Sequence, residues 1–171
     1  MAKPNLLSVP SFYQKYVERI DEEELIPALI NSGNLTIDMI KSIPEASGDY
    51  RYAEGKWSIK EVLVHLIDAE RVFAYRALRF GRGDKTELSG FEENNYAIAS
   101  NANTRKLYKI IEEYNNVRAA TIDLFSSFDV EALARTGLAN GSEISVNAIG
   151  FVIAGHETHH RNVLSERYFS K

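Results

Sequence analysis

Hydrophobic residues recur every three or four positions in four stretches of the chain, which is the spacing of helices that bury one face. The pattern predicts helices over residues 21–42, 58–81, 107–128 and 145–168. A further short helical turn is expected at residues 130–134. No stretch shows a convincing alternation of apolar and polar residues, which a half-buried β-strand would require. The sequence therefore predicts an all-α protein built as a four-helix bundle.

Polar residues and glycine mark where these helices begin and end. The sequence Ser58-Ile59-Lys60-Glu61 is a capping box, in which Ser58 and Glu61 satisfy free backbone N–H groups at a helix start. The second helix should end near Gly81, and a long connection then runs to Asn103 before the third helix. Connections of this length are uncommon unless they form a lid, a binding loop or a short extra helix. We expect one of these three structures for residues 81–103.

The composition is that of one globular domain covering residues 1–171. Hydrophobic residues make up 44% and charged residues 26%, and the formal net charge is −4 without any basic run, which argues against nucleic acid as a partner. The first 25 residues lack the apolar core of a signal peptide, and the longest nearly unbroken apolar run, Ala148 to Ala154, is too short to cross a bilayer. We expect a cytoplasmic protein with a small-molecule substrate and no membrane partner.

Three of the four histidines lie within the segment GHETHHRNVL, residues 155–164. His156 to His160 fit H-E-x-x-H, the zinc-protease pattern, in which the glutamate activates a metal-bound water. In those proteases a third ligand usually follows, but the 11 residues after His160 contain no histidine. The chain also has no cysteine, so any metal must use nitrogen and oxygen ligands. The remaining histidine, His65, is therefore the candidate third ligand.

The helical spacing of these histidines favours a shared site. Residues four positions apart point in directions only about 40° apart, so His156 and His160 lie on one face of the fourth helix. Both fall on its apolar stripe, and His65 falls on that of the second helix. We expect their ring nitrogens to converge inside the bundle and share a metal, with a position left for water or substrate. The alternatives are a hydrogen-bonded core histidine at position 65 and a second-layer or surface role for His159.

Two carboxylates near these histidines are candidate catalytic residues. Asp68 follows His65 by one helical turn and could orient a ligand or accept a proton from metal-bound water. A solvated helix carboxylate fits Asp68 equally well. Glu157 has the position of the zinc-protease base, but the open coordination position of a bundle site faces elsewhere, and we expect Glu157 to be exposed.

Further side chains are expected to form a pocket over the metal. The candidates are Trp57, Tyr75, Arg79 and Tyr96. Arg79 suits a carboxylate on a thiol cofactor, because a guanidinium binds carboxylates through two parallel hydrogen bonds. For the three aromatic residues, ordinary packing in the core is the alternative interpretation.

Two segments resemble the DinB/YfiT-like metalloproteins: residues 52–91, YAEGKWSIKEVLVHLIDAERVFAYRALRFGRGDKTELSGF, and residues 155–168, GHETHHRNVLSERY. The resemblance covers nearly the whole chain. It implies a four-helix bundle, commonly a homodimer, that holds a divalent metal through His65, His156 and His160, with zinc or nickel as the metal we expect. Characterised branches of the family resemble thiol S-transferases that use a small thiol such as bacillithiol or mycothiol, and other members are described as metal-dependent hydrolases.

The sequence therefore favours a divalent-metal-dependent enzyme, either a thiol S-transferase or a small-molecule hydrolase. In both cases the metal would lower the pKa of a bound thiol or water. The alternative is a non-catalytic module that binds a metal or a ligand, since fold and metal do not establish turnover. A zinc protease is the least supported function, because the chain lacks both the downstream ligand and a strand that could align a peptide.

Overall fold

The structure, a computed structural model, describes residues 1–169. Within this range the chain forms seven α-helices and one β-hairpin. They are α1 (Ser11–Val17), α2 (Leu25–Lys41), α3 (Ile59–Gly81), α4 (Glu93–Ala99), α5 (Leu107–Ser126), α6 (Val130–Ala134), β1 (Thr136–Ala139), β2 (Ser142–Ser145) and α7 (Val146–Val163). A π-helical turn, Leu164–Tyr168, continues α7.

Helices α2, α3, α5 and α7 form the predicted four-helix bundle. Each one packs against two others, so that α7 lies between α2 and α3, while α5 contacts the same two helices from the opposite side. The expected start of α3 is confirmed, because Ser58 and Glu61 make both hydrogen bonds of the capping box. Helix α2 begins at Leu25 rather than at residue 21, since Glu24 still has an extended backbone.

The short N-terminal helix α1 was not predicted. It packs along α7, with Tyr16 and Val17 buried. The contact depends on Gly155, because a Cβ atom at this position would lie only 2.0 Å from the carbonyl oxygen of Tyr16. Seven residues are too few for a clear helical period, and the position of α1 is set by this distant glycine.

The β-hairpin contains the only two β-strands among residues 1–169. Its strands pair antiparallel, with Gly137 opposite Ile144 and Ala139 opposite Ser142. Asn140 and Gly141 form the turn, and both have positive φ angles, 51° and 72°. An Asn-Gly pair suits such a two-residue turn, so the sequence did contain a signal for this hairpin.

The long connection after α3 contains a short extra helix, α4, which is one of the three expected structures. Before α4, Leu88 lies beside the hairpin: its N–H donates to Leu138 at 3.0 Å, and its carbonyl accepts from the Asn140 N–H at 2.9 Å. The connection thus crosses from the bundle to the hairpin and back. None of the helices in the described chain combines the length and apolar composition needed to cross a membrane.

Candidate metal centre

His65 from α3 meets His156 and His160 from α7. One ring nitrogen from each lies within 4.8 Å of the other two, and the Nε2 atoms of His65 and His156 are 3.1 Å apart. Because α3 and α7 are neighbours in the bundle, a histidine on one helix faces the pair one turn apart on the other. The convergence expected from the sequence is therefore observed.

The surroundings of these histidines keep them neutral. Burial lowers the pKa of His65 to about 4 and, together with the other histidines, that of His160 to about 3. Burial and the neighbouring His160 also lower the pKa of His156. Neutral imidazoles carry the nitrogen lone pair that a metal requires. The three residues are thus ready to donate to a metal without first losing a proton.

A divalent metal fits this arrangement. Nitrogens that share a tetrahedral ion at about 2.0–2.1 Å lie roughly 3.4 Å apart, close to the 3.1 Å between His65 and His156. No carboxylate joins these three nitrogens in the group of possible ligands found among residues 1–169. A donor set of imidazoles suits zinc, nickel or copper better than magnesium or calcium, which prefer oxygen.

Two cavities border the histidines, and α4 contributes a lining residue to each. The first, about 260 Å³, is lined by His65 and His156, by aromatic residues of α1 and by the buried Arg76 of α3. The second, about 240 Å³, is lined by His160 and Trp57. Asn94 of α4 lines both, so the extra helix stands over the site between them.

Aromatic rings pack directly against the histidines. The ring centre of Trp57 lies 4.8 Å from that of His65, and the ring centre of Tyr16 lies 5.3 Å from that of His156. Phe73 completes the wall at 6.2 Å from His156. Trp57 was a predicted pocket residue, and the structure places it at the cluster. These rings contribute to the burial that lowers the histidine pKa values.

Glu157 is buried, with 2% of its surface exposed, so the expectation of an exposed side chain was wrong. The reason is that α1, α2 and α3 all pack on α7, which leaves this helix almost no solvent-facing side before His159. Glu157 points toward α5, where it accepts a hydrogen bond from Tyr114 and lies 2.8 Å from the Arg118 guanidinium. This direction leads away from the cavities, which gives Glu157 no place for the water of a zinc protease.

Glu157 belongs to a buried polar cluster that joins the four bundle helices, and we call it the Arg118 cluster. Its members are Ser32 and Thr36 of α2, Glu70 of α3, Tyr114 and Arg118 of α5, and Glu157 of α7. Arg118 donates two hydrogen bonds to Glu70, at 2.9 and 2.8 Å, and others to the Leu29 carbonyl and the Ser32 hydroxyl. Burial, reinforced by the Glu70 carboxylate, raises the pKa of Glu157 to about 8.

The other candidate residues lie apart from the histidines. Asp68 is 3.7 Å from the Arg71 guanidinium, and burial raises its pKa while Arg71 opposes the shift. Arg79 contacts Tyr75 and Asp84. None of these residues lines either of the two cavities.

Tyr96 also lies outside both cavities. It is 45% exposed, and its ring packs against Phe91 at 5.0 Å. Sequence reasoning had missed the residues that do line the first cavity, Tyr16 and Arg76 among them. The signal for Arg76 was available, because a residue 11 positions after His65 points only about 20° away from it on a helix.

The fold and this histidine cluster define a known class of protein. The family model of the DinB superfamily matches residues 28–164, and the chain belongs to this superfamily. The match includes all three histidines. Among curated proteins, none matches the sequence.

Solved structures show the same fold at low sequence identity. YfiT from Bacillus subtilis, described as a probable metal-dependent hydrolase with an unusual four-helix bundle topology, superposes with a TM-score of 0.75 at 14% identity, over 98% of this chain and 91% of that chain. A DinB-like protein from Bacillus subtilis gives 0.61 at 18% identity, over 82% and 86%. A mycothiol-dependent maleylpyruvate isomerase gives 0.66 at 13% identity, over 92% of this chain but only 62% of that protein.

Proposed function

We propose that the chain is a divalent-metal-dependent enzyme in which His65, His156 and His160 hold zinc or nickel. The observation that carries this proposal is the convergence of three neutral imidazole nitrogens within 4.8 Å, beside two cavities. A divalent metal bound there supplies a Lewis acid that brings the pKa of a bound thiol or water toward neutrality. The protein supplies the three donors, the aromatic walls that exclude water, and space for a small molecule.

The two cavities favour thiol S-transfer over hydrolysis. A transferase must bring two reactants to the same point, and one cavity borders His65 and His156 while the other borders His160, with Asn94 at both. Holding both reactants in place converts a bimolecular step into one that is effectively unimolecular. We propose an external low-molecular-weight thiol such as bacillithiol as one reactant, which agrees with a chain that has no cysteine of its own. Hydrolysis of a small molecule is the second candidate.

Several finer assignments rest on the sequence and the family resemblance. Asp68 is proposed as a proton acceptor, supported by a pKa that burial raises. Trp57 is proposed as a wall for the bound ligand, while Tyr75, Arg79 and Tyr96 would contact only a ligand that extends beyond the two cavities. The protein is further proposed to be a cytoplasmic homodimer.

The first experiment measures metal content in untagged protein and in two histidine variants. We expect one metal per chain in the natural protein and in His159→Ala, whose imidazole lies outside the cluster. His160→Ala should lose the metal on dialysis yet stay folded, because the apolar faces of the helices supply most of the stability. Metal retained by His160→Ala, or absent from the natural protein, would contradict the proposal.

A second experiment separates an enzyme from a binding module. Metal-loaded protein is offered bacillithiol, glutathione or coenzyme A with a model electrophile, and separately a panel of small esters and amides. We expect conjugation with at least one thiol, abolished by chelation and restored by zinc or nickel. Protein that holds its metal but turns over nothing in either screen would instead support a non-catalytic metal-binding or ligand-binding module.

A further inference from the structure

Arg76 of α3 is a buried cation without an acidic partner. Its surface is 3% exposed, and within residues 1–169 no carboxylate lies within ion-pair distance of its guanidinium. Burying an unpaired charge is costly, so charged groups this deep are normally paired or hydrogen-bonded. The chain itself therefore leaves the charge of Arg76 available to a bound ligand.

The guanidinium of Arg76 is also largely free of hydrogen bonds within the described chain. Nη2 donates to the Ser89 carbonyl at 2.9 Å, which accounts for one of the five N–H donors that an arginine carries. No nitrogen of Arg76 is among the fully enclosed polar atoms that lack a partner. The remaining donors thus border open space, and Arg76 is one of the residues that line the first cavity.

The floor of the first cavity connects Arg76 to the histidine cluster. His65, Ala69, Phe73 and Arg76 follow one another along one face of α3, and all four line this cavity. The Phe73 ring centre lies 6.2 Å from that of His156 and 5.7 Å from the guanidinium carbon of Arg76. The guanidinium and the imidazole are therefore no further apart than these two distances combined, a span that a molecule of moderate length can bridge.

The charges at the mouth of the cavity limit what can reach Arg76. Glu92 and Glu93 line the same cavity and are exposed, so they repel a ligand that carries several negative charges. The amides of Asn94 and Asn140 are the uncharged polar groups nearby. A single carboxylate at the far end of an otherwise uncharged or cationic ligand fits this distribution best.

We propose that Arg76 binds the carboxylate of the ligand whose reacting group lies at the histidine cluster, so that the first cavity selects small molecules with a terminal carboxylate. The guanidinium fork can form two parallel hydrogen bonds to a carboxylate. The identity of the reacting group rests on the proposed function. Recognition of the carboxylate needs only Arg76 and the cavity.

The test compares two thiols of equal length, 6-mercaptohexanoate and 6-mercaptohexan-1-ol, by calorimetric titration of zinc-loaded full-length protein. The carboxylate thiol should bind about 10-fold to 100-fold more tightly than the alcohol, the range expected for hydrogen bonds to a charged group. In Arg76→Gln the ratio should fall to about 1, while Arg76→Lys should keep part of it because it keeps the charge without the fork. Arg82→Gln removes the same charge from an exposed position just after α3, outside the cavity, and should leave the ratio unchanged.

The ratio of the two affinities separates recognition from a structural role. If Arg76 only anchored the Ser89 carbonyl, Arg76→Gln would weaken both thiols equally and the ratio would persist, which would overturn the proposal. The absence of any preference for the carboxylate in the natural protein would overturn it as well.

A second test uses metal-free protein, so that its result does not depend on a bound metal. Hexanoate and hexan-1-ol are titrated while the Arg76 Nε–H signal is followed by NMR, with Arg76→Gln to assign the signal. We expect this signal to shift with hexanoate and not with hexan-1-ol. Carboxylate binding here without thiol binding in zinc-loaded protein would keep the role of Arg76 and reject the proposed thiol chemistry. An unmoved signal would reject the role of Arg76 and leave the metal-dependent function standing.

Discussion

The histidine cluster and the Arg118 cluster lie on different faces of the same two helices, and they differ in how their members are paired. His65 and Glu70 on α3 point about 140° apart, and His156 and Glu157 on α7 about 100° apart. In the Arg118 cluster, carboxylates meet a guanidinium and hydroxyl groups. In the histidine cluster, three groups of the same kind converge without a charged partner.

This difference separates a structural role from a ligand site. A buried charged group whose partners come from the protein itself contributes to a unique packing of the helices, even where one oxygen, here Glu157 Oε2, accepts no hydrogen bond within residues 1–169. Nη1 of Arg118 illustrates this, because it donates to Leu29 and Ser32 while lying 2.8 Å from Glu157 Oε2. The three imidazoles have no charged partner in the protein, so their nitrogen lone pairs can bind a metal ion. Three experiments, from the largest expected effect to the smallest, examine this distinction.

Removing Arg118 should have the largest effect on stability. Arg118→Met leaves the Glu70 carboxylate buried without its cation, and removing one partner of a buried pair in this way costs about 3–5 kcal/mol. His160→Ala in metal-free protein should lower the free energy of unfolding far less, because its neutral ring has no charged partner to abandon. Urea unfolding followed by circular dichroism measures both. Equal losses in the two variants would mean that the histidines are as structural as the Arg118 cluster.

The two clusters should also respond to pH with opposite signs in metal-free protein. The pKa of His65 falls from 6.5 to about 4 on folding, so the unfolded chain binds more protons between these values and stability is lost as the pH falls through this window. The pKa of Glu157 rises from 4.5 to about 8, so its contribution is present below pH 4.5 and is lost as the pH rises toward 8. Each group contributes at most about 1.4 kcal/mol per pH unit.

Variants assign each side of this pH profile to its residue. Glu157→Gln should remove the decline toward pH 8 and leave the acid side unchanged, whereas His65→Phe should weaken the loss on the acid side alone. The free energy of unfolding in urea, measured across the pH range, provides the test. A decline toward pH 8 that persists in Glu157→Gln would show that this carboxyl group does not carry its proton into the folded state.

Helix positions and the histidine cluster could be predicted because both follow from local spacing. The capping box at Ser58 fixes the start of α3, and four residues between His156 and His160 place both rings on one face. The match with the DinB superfamily is consistent with these local signals. A pattern that depends on one helix at a time is visible without knowledge of its neighbours.

The surroundings of Glu157 could not be predicted, because they depend on contacts between helices far apart in the chain. Its side chain is buried against Tyr114 and Arg118 of α5 and the hydroxyl groups of α2. The close approach of Arg118 to α2 uses the absence of a side chain at Gly33, where a Cβ atom would lie 2.9 Å from Nη1. Single-helix periodicity contains none of these long-range conditions, and so Glu157 was assigned to the solvent.

Asp68 belongs to neither the Arg118 cluster nor the histidine cluster, and its replacement should have the smallest effect on stability. It is half-buried next to Arg71, which also pairs with Glu113 at 2.7 Å. Exposed ion pairs of this type contribute about 0–1 kcal/mol, so Asp68→Asn should change the free energy of unfolding by less than about 1 kcal/mol.

Turnover by metal-loaded protein then decides whether Asp68 has a catalytic role. A clear loss at unchanged metal content supports Asp68 as the proton acceptor, since a surface ion pair would leave the rate unaltered. Unchanged turnover would assign proton transfer to a residue that lines the cavities, where the structure places the histidines and Arg76 but not Asp68.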